Sequence, residues 1–226
     1  MWRMRHPEAD RRPAAIVFDL DGTLVDTVAT RIESWEEAFA EIGIPVARSD
    51  LEPMIGMDGR QLAVEVASRA SVNLDGPASE VIDRRAGELF DHRNQDPRPL
   101  PGARELLGRL TGARVAWAIA TSSRAAQVAA SVAALRLERP PRIVDGSSVE
   151  RAKPAPDLLL LAARRLDVDA AECWYVGDST WDMRAAVAAG MLAIGVLAGA
   201  AVDEGALRDA GANVVLGTLD QLTVPD

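Results

Sequence analysis

AAIVFDLDGT, residues 14–23, places five consecutive apolar residues directly before two aspartates, Asp19 and Asp21. An unbroken apolar run of this length predicts a strand that is buried on both faces, as in a parallel sheet covered by helices. Two carboxylates at the end of such a strand repel each other and lose hydration, so a nearby cation must stabilise them. The stretch therefore predicts a parallel sheet with a charged site at the end of its first strand.

Further apolar runs with strand character occur at residues 115–120, 173–176, 192–196 and 213–216. Helix-like segments lie between them, among them residues 124–135, 157–166 and 180–189. This alternation predicts an α/β fold, a Rossmann-like parallel sheet with helices on both faces. In such sheets the reactive side chains gather at the carboxyl ends of the strands.

The segment between the first strand and residue 97 does not alternate and is predicted to be helical. One apolar stripe at helical spacing comprises Val28, Ile32, Trp35, Phe39 and Ile42, and Gly43 ends it. A second stripe comprises Ala78, Val81, Ile82, Ala86, Leu89 and Phe90. We therefore expect an inserted α-helical cap at residues 27–97 and an α/β core at residues 1–26 and 98–226.

Composition narrows the functional classes. The net charge of −9 argues against a nucleic-acid partner, because phosphate-backbone binding needs a basic face. No apolar run approaches the length of a membrane span, which predicts that the chain has no membrane partner. Cys173 is the only cysteine, so we expect no intrachain disulfide and a reducing, cytoplasmic compartment. Nothing in the sequence specifies an oligomeric state.

Four short segments carry polar groups at or after predicted strand ends. They are DLDGT at 19–23, ATSS at 120–123, AKPAPD at 152–157 and GDSTWD at 177–182. Lys153 is the only lysine among 25 basic residues, and it lies inside one of these segments. In this order and spacing, the segments resemble the haloacid dehalogenase superfamily of phosphohydrolases, in the helical-cap branch of phosphoglycolate phosphatases and β-phosphoglucomutase-like enzymes. The chain departs from the family in having Ala152 where glycine more often precedes the lysine.

The resemblance implies a Mg²⁺-dependent phosphatase that hydrolyses a small phosphorylated metabolite. Asp19 would be the nucleophile that forms an aspartyl-phosphate intermediate. Asp21 would be the general acid that protonates the leaving alcohol and later the base that activates water, which requires a raised pKa. Mg²⁺ prefers hard oxygen ligands, and we expect Asp19, the backbone carbonyl of Asp21 and Asp178 to provide them.

The remaining candidate residues would bind the phosphoryl group or support the site. Thr121 and Ser122 would donate hydrogen bonds to phosphoryl oxygens, although either could instead cap the helix that follows. Lys153 would bridge Asp19 and the phosphoryl group as a compact point charge. Asp182 is expected in a supporting role. Arg60, in a glycine-containing segment at 54–62 that could act as a lid, is a candidate for a substrate anion, and a solvated arginine is an equally good interpretation.

Several alternatives remain open at this point. A β-phosphoglucomutase-like sugar-phosphate isomerase would share all the core motifs. Dehalogenases generally lack an aspartate at the position of Asp21, and phosphonatases need a second lysine in the cap, which this chain does not have. A signalling receiver domain pairs similar groups but is shorter and has no helical insertion. The most remote alternative is a non-catalytic protein that binds phosphate or acts in signalling.

Overall fold

A computed structural model describes residues 11–225; residues 1–10 and 226, at the two ends of the expected core, lie outside the described residues. Its main sheet contains six parallel strands in the order β5-β4-β1-β6-β7-β8. The strands of this sheet are β1 (Ala15–Phe18), β4 (Ala116–Ala120), β5 (Ile143–Val144), β6 (Cys173–Gly177), β7 (Leu192–Val196) and β8 (Val214–Leu216). Two further short strands, β2 (Val25–Asp26) and β3 (Arg98–Pro99), form an antiparallel pair beside it.

The first strand lies at the centre of the sheet, paired with β4 on one side and β6 on the other. All four residues of β1 are fully buried, as its unbroken apolar sequence requires. The predicted α/β fold and five of the six strands are confirmed. The sixth, β5, was not predicted because two residues, Ile143 and Val144, are too few to form a recognisable strand pattern.

Helices cover both faces of the sheet. On one face, α5 (Ala103–Gly112) and α6 (Ala125–Ala134) pack against Ile16 and Phe18 of β1. On the other face, α7 (Asp157–Leu166), α8 (Thr180–Ala189) and α9 (Glu204–Asp209) pack against Ala15 and Val17. Alternate residues of the central strand thus contribute to two separate apolar cores, and together they fix the position of the strand end that carries Asp19.

Four helices lie between β2 and β3 in the chain. They are α1 (Val28–Glu41), α2 (Arg48–Leu51), α3 (Gly59–Arg69) and α4 (Gly76–Arg93), and we call this group the helical cap. Its members share a third apolar core, to which α1 contributes Val28, Ile32, Trp35 and Phe39. Ile42 was wrongly assigned to that stripe, because α1 ends at Glu41 and the Ile42 side chain is 49% exposed. Val81 was also wrongly assigned to the second stripe and is exposed on α4.

Short 3-10 turns complete the described chain, at Glu52–Met54, Gly146–Ser148, Ala170–Glu172 and Leu219–Gln221. Among residues 11–225, no helix combines the length and the apolar character that a bilayer crossing requires. The first of these turns lies at the start of the segment that joins α2 to α3, and the Gly56 carbonyl in this segment accepts a hydrogen bond from Ser122, which follows β4.

Candidate active site

Acidic side chains from two strand ends converge on one buried point. Asp19 follows β1 and Asp178 follows β6, while Asp182 lies in the first turn of α8. One carboxylate oxygen from each of the three lies within 4.8 Å of the others, and all three residues are buried. Adjacent parallel strands end at the same edge of a sheet, so the topology itself produces this cluster.

Lys153 places its ammonium directly against this cluster. Its Nζ donates to Asp19 Oδ1 at 2.6 Å and to Asp182 Oδ1 at 2.7 Å, and the side chain is 1% exposed. Burial alone would lower the pKa of Lys153, but the carboxylates of Asp182 and Asp19 raise it above its ordinary value. The Lys153 ammonium is therefore charged, and it forms ion pairs with both Asp19 and Asp182.

Asp182 is held in place by four hydrogen bonds. Its Oδ1 accepts from Lys153 and from the Tyr175 hydroxyl at 2.8 Å, and its Oδ2 accepts from the backbone N–H and the hydroxyl of Ser179. Ser179 caps α8 and accepts in return from the Asp182 N–H. Donors therefore occupy both oxygens of Asp182, and one of these donors is the Lys153 ammonium.

Nearby positive charge balances the negative charges of the other two carboxylates, Asp19 and Asp178, only in part. Burial is the main cause that raises the pKa of Asp19 to about 7, against the opposing charge of Lys153. Burial also raises the pKa of Asp178, and the neighbouring charges of Asp182 and Asp19 add to the effect. Three carboxylates share one ammonium here, so the described side chains leave an excess of negative charge that a divalent cation would neutralise.

The glycine of the DLDGT segment gives the chain room to turn beside this cluster. Gly22 has φ of +83°, and a Cβ at this position would overlap Asp178 Oδ2. The hydroxyl of the next residue, Thr23, donates to Asp178 Oδ1 at 2.8 Å. The turn after β1 is thereby connected to the end of β6.

Asp21 points away from the cluster toward the helical cap. Its Oδ2 accepts from Arg31 of α1 at 2.9 Å and from the Ser123 hydroxyl, and its Oδ1 accepts from Thr27. Burial would raise the pKa of Asp21, but Arg31 with the two hydroxyls outweighs burial and lowers it. The expectation of a raised pKa at Asp21 is therefore wrong for this arrangement, because the sequence did not reveal its arginine partner.

The residues of the ATSS segment form the adjoining wall. Thr121 is buried at the end of β4, and its hydroxyl accepts from the Ser123 N–H at 3.1 Å. Neither Thr121 nor Ser122 caps a helix, since α6 begins after Arg124. The Ser122 hydroxyl donates to the Gly56 carbonyl at 3.1 Å, which connects the core to the segment before α3.

Arg60 is placed differently from the other candidates. Its guanidinium pairs with Asp58 at 3.0 Å and donates to the Glu150 carbonyl, and the side chain is 45% exposed. The same pairing lowers the pKa of Asp58 despite the burial of that carboxylate. The arginine borders two outer clefts rather than the cavity above Asp19.

A cavity of about 60 Å³ lies between the strand ends and the helical cap. Its core side presents Asp19, Asp21, Thr121, Ser122 and Lys153, so the structure brings five of the predicted site residues to one cavity. Asp178 and Asp182 belong to the carboxylate cluster behind Asp19 but do not line the cavity.

Sequence reasoning missed three residues that matter to the cavity. Arg31 and Asp83 line it from α1 and α4, and Ser123 donates to Asp21. Arg31 lies one turn after Thr27 in a helix that was interpreted only by its apolar stripe. The available signal was its place on the polar face of a helix that begins directly after the DLDGT segment.

Comparison with known proteins gives a consistent family result. The model of the family described as haloacid dehalogenase-like hydrolase matches residues 16–196. A phosphoglycolate phosphatase from Xanthomonas campestris is 31% identical over 84% of this chain and 85% of its own length. A beta-phosphoglucomutase from Bacillus subtilis is 29% identical over 80% of this chain and 82% of its own length.

A solved structure of a hydrolase from Pseudomonas syringae has a TM-score of 0.86 and is 32% identical, with 91% of this chain and 94% of that chain covered. The chain also matches part of a much longer protein, Protein SUPPRESSOR OF QUENCHING 1, chloroplastic, from Arabidopsis thaliana. That match is 29% identical over 94% of this chain but spans only 20% of the plant protein.

Proposed function

The chain belongs to the haloacid dehalogenase-like hydrolase family and is a phosphoric monoester hydrolase, and from this premise we propose that Asp19 carries the phosphoryl group as an aspartyl-phosphate. The observation that supports this most is the ammonium of Lys153, 2.6 Å from Asp19 Oδ1 at the floor of the cavity. A carboxylate attacks a doubly negative phosphate ester only where positive charge offsets the repulsion. Lys153 is the only buried cation in contact with Asp19 among the described residues.

We propose Mg²⁺ as the cofactor, held by Asp19, Asp178 and the backbone carbonyl of Asp21. The donor set fits, because the carboxylates are hard oxygen ligands within 4.8 Å of one another and carry uncompensated charge. When bound, the ion would supply positive charge to the phosphoryl oxygens and keep Asp19 ionised. Asp182 would hold Lys153 rather than the ion, since donors already occupy both of its oxygens.

We assign Asp21 to proton transfer at the leaving oxygen and then at the attacking water. In the arrangement described here Asp21 is ionised by its contact with Arg31, which suits the base that activates water in the second step. Protonation of the leaving alcohol in the first step requires a proton on Asp21. Asp21 would therefore take up a proton from water or from a singly protonated ester before that step, and loss of the Arg31 contact on ester binding would favour this by raising the pKa of Asp21.

The phosphoryl oxygens would be bound by the hydroxyls of Thr121 and Ser122 together with Lys153. Residues 27–97 would act as the cap that closes this space from water. Movement of the helical cap away from the strand ends would break contacts such as that between Ser122 and Gly56.

The substrate is proposed to be a small phosphorylated metabolite in the cytoplasm. Phosphoglycolate phosphatase is one of the relatives and supports hydrolysis of a small ester. Beta-phosphoglucomutase is another, so transfer of phosphate within a sugar is the second candidate function. A single cysteine in the 226 residues is consistent with a reducing compartment. Arg60 as a contact for a substrate anion would need to leave Asp58 first.

A panel of phosphate monoesters incubated with Mg²⁺ tests this function. We expect release of inorganic phosphate by the wild type and almost none by Asp19→Asn, with the variant folded as judged by circular dichroism. A sugar monophosphate in the panel separates the two candidates, since a phosphatase releases phosphate and a mutase yields an isomer. Undiminished turnover by Asp19→Asn would contradict the assignment of the nucleophile.

A further inference from the structure

The helical cap presents a carboxylate to the cavity, and its charge bears on the substrate. Arg31, Trp35, Leu62 and Asp83 line the cavity from α1, α3 and α4, and we call these four residues the cap wall. If the phosphoryl group binds at Asp19 and Lys153, the leaving group of the ester faces this wall. The charges of the wall then decide which leaving groups are accepted.

The positively charged residue of the cap wall, Arg31, is already paired with a carboxylate. Arg31 is paired with Asp21 at 2.9 Å, donates to the Ser123 hydroxyl at 2.7 Å and lies 3.3 Å from the centroid of the Phe90 ring. Its side chain is only 12% exposed. An anionic group on the substrate could bind Arg31 only by separating a buried ion pair, which is costly.

The carboxylate of the cap wall is compensated only in part. Asp83 pairs with Arg124 at 2.5 Å, but the same guanidinium also pairs with Glu80 at 2.8 Å, so two carboxylates share one cation. Burial raises the pKa of Asp83 against the opposing effect of Arg124, and the charges of Asp58 and Glu80 raise it further. The surroundings of Asp83 are therefore electronegative.

The chain makes room for this carboxylate at Gly59. The φ of Gly59 lies outside the left-handed region, so its backbone conformation does not require glycine. A Cβ there would overlap Asp83 Oδ1 and would come within 3.3 Å of the Trp35 ring. The glycine at the start of α3 is thus explained by the space that the Asp83 carboxylate occupies.

We propose that Asp83 makes the site selective for esters with an uncharged, hydroxyl-bearing leaving group and excludes those with a carboxylate close to the phosphate. This inference rests on the proposed function. A hydroxyl donates to the Asp83 carboxylate, whereas a substrate carboxylate meets a like charge with no unpaired cation among the described residues that line the cavity. Selection by repulsion of the wrong ligand is a common route to specificity.

Two phosphate esters of similar size test the effect of the leaving group's charge. They are 2-hydroxyethyl phosphate, whose leaving group is uncharged, and 2-phosphoglycolate, whose leaving group carries a carboxylate. We expect kcat/KM of the wild type with Mg²⁺ to favour 2-hydroxyethyl phosphate by about tenfold or more, equivalent to about 1.4 kcal/mol. Asp83→Asn should narrow this ratio to about threefold or less by improving the reaction with 2-phosphoglycolate. Glu80→Gln is the matched control: it removes the charge that shares Arg124 but keeps the carboxylate that lines the cavity, so it should narrow the ratio clearly less than Asp83→Asn.

Equal or better use of 2-phosphoglycolate by the wild type would overturn the inference. The inference would also be overturned if Glu80→Gln narrowed the ratio of kcat/KM values as much as Asp83→Asn does. The effect would then come from the ion-pair network around Arg124 and not from the carboxylate that lines the cavity. Should Asp83→Asn fail to fold, Gly59→Ala provides a second variant, expected to narrow the ratio by forcing Asp83 from its position.

The experiment can reject the proposed function without rejecting the role of Asp83. If the wild type turns over neither ester nor p-nitrophenyl phosphate, the same ratio is taken from dissociation constants measured by calorimetry with Mg²⁺. A preserved tenfold difference would then support the role of Asp83 while the hydrolase mechanism is rejected. Equal binding, or binding of neither ester, would overturn the role of Asp83.

Discussion

Replacing Asp178 by asparagine should make the metal-free protein more stable. Asp178 is 3% exposed and lies within 4.8 Å of both Asp19 and Asp182, with one ammonium shared among the three carboxylates. Asparagine keeps the shape of the side chain and an oxygen for the Thr23 hydroxyl, but it removes the charge. The variant therefore loses a ligand for a cation, but it also removes the repulsion between Asp178 and the neighbouring buried carboxylates.

The size of the effect follows from the distances. Two unit charges at 4.8 Å repel by about 3.5 kcal/mol at an effective dielectric constant of about 20. Asp178 takes part in two such pairs, and attraction to Lys153 together with proton uptake by the wild type offsets much of the sum. We expect a net gain of about 1–3 kcal/mol in the free energy of unfolding at pH 7 without divalent metal.

The gain in the free energy of unfolding that Asp178→Asn produces should increase with pH. Burial and the neighbouring charges of Asp182 and Asp19 raise the pKa of Asp178 in the folded state above its unfolded value. The stability contributed by such a group is full below the unfolded pKa of about 4 and is lost as pH rises through the folded pKa. Asparagine does not titrate, so its advantage should grow from acidic to neutral pH.

Asp182→Asn is the matched control, with the same change of charge four residues away. Both oxygens of Asp182 accept hydrogen bonds, from Lys153 and Tyr175 on one side and from Ser179 on the other. An amide has only one acceptor oxygen, so one set of donors would face an NH₂ group. Breaking this buried pair should cost about 3–5 kcal/mol.

Urea unfolding in EDTA, followed by circular dichroism, measures both variants. Repeating the titrations in Mg²⁺ should stabilise the wild type and leave Asp178→Asn nearly unchanged. A loss of stability in Asp178→Asn in EDTA, or the same sign of change in both variants, would refute the reasoning that the cluster is undercompensated.

Two further predictions concern the turn after β1 and the single thiol. Gly22→Ala should lower the free energy of unfolding by about 3 kcal/mol, because it combines a left-handed φ with an overlap on Asp178. Gly43→Ala, with φ of +73° and no atom within 4 Å of its Cβ, should cost only about 1 kcal/mol, and equal losses in chemical denaturation would contradict this difference. Burial raises the pKa of the Cys173 thiol to about 11, so a disulfide reagent should label it slowly in the native protein and quickly in urea. Rapid labelling of the native protein would disprove that burial.

The features that could be predicted from the sequence are those encoded locally. The apolar run before Asp19 predicted a buried strand, and the motifs that follow predicted strands placed Asp19 and Asp178 at strand ends, which belong to the neighbouring strands β1 and β6. The structure brings the Asp19 and Asp178 carboxylates together because parallel strands end at a shared edge of the sheet.

The features that could not be predicted depend on how the helical cap lies against the core. The contact between Arg31 and Asp21 reverses the expected pKa shift of Asp21, and it exists only because α1 packs across the strand ends. The glycine-containing segment at 54–62 was interpreted as a lid, whereas in the structure its Gly59 leaves room for the Asp83 carboxylate. Such roles arise from tertiary neighbours that no local pattern records.

The central claim is that Asp19 accepts the phosphoryl group, and chemical trapping tests it most directly. The enzyme is mixed with a turned-over phosphate ester and Mg²⁺, quenched in acid within the turnover time and treated with borohydride, which reduces an acyl phosphate to an alcohol. Mass spectrometry of the peptides should then find homoserine at position 19. Homoserine at another aspartate, or unmodified Asp19 in a preparation that releases phosphate, would contradict the account.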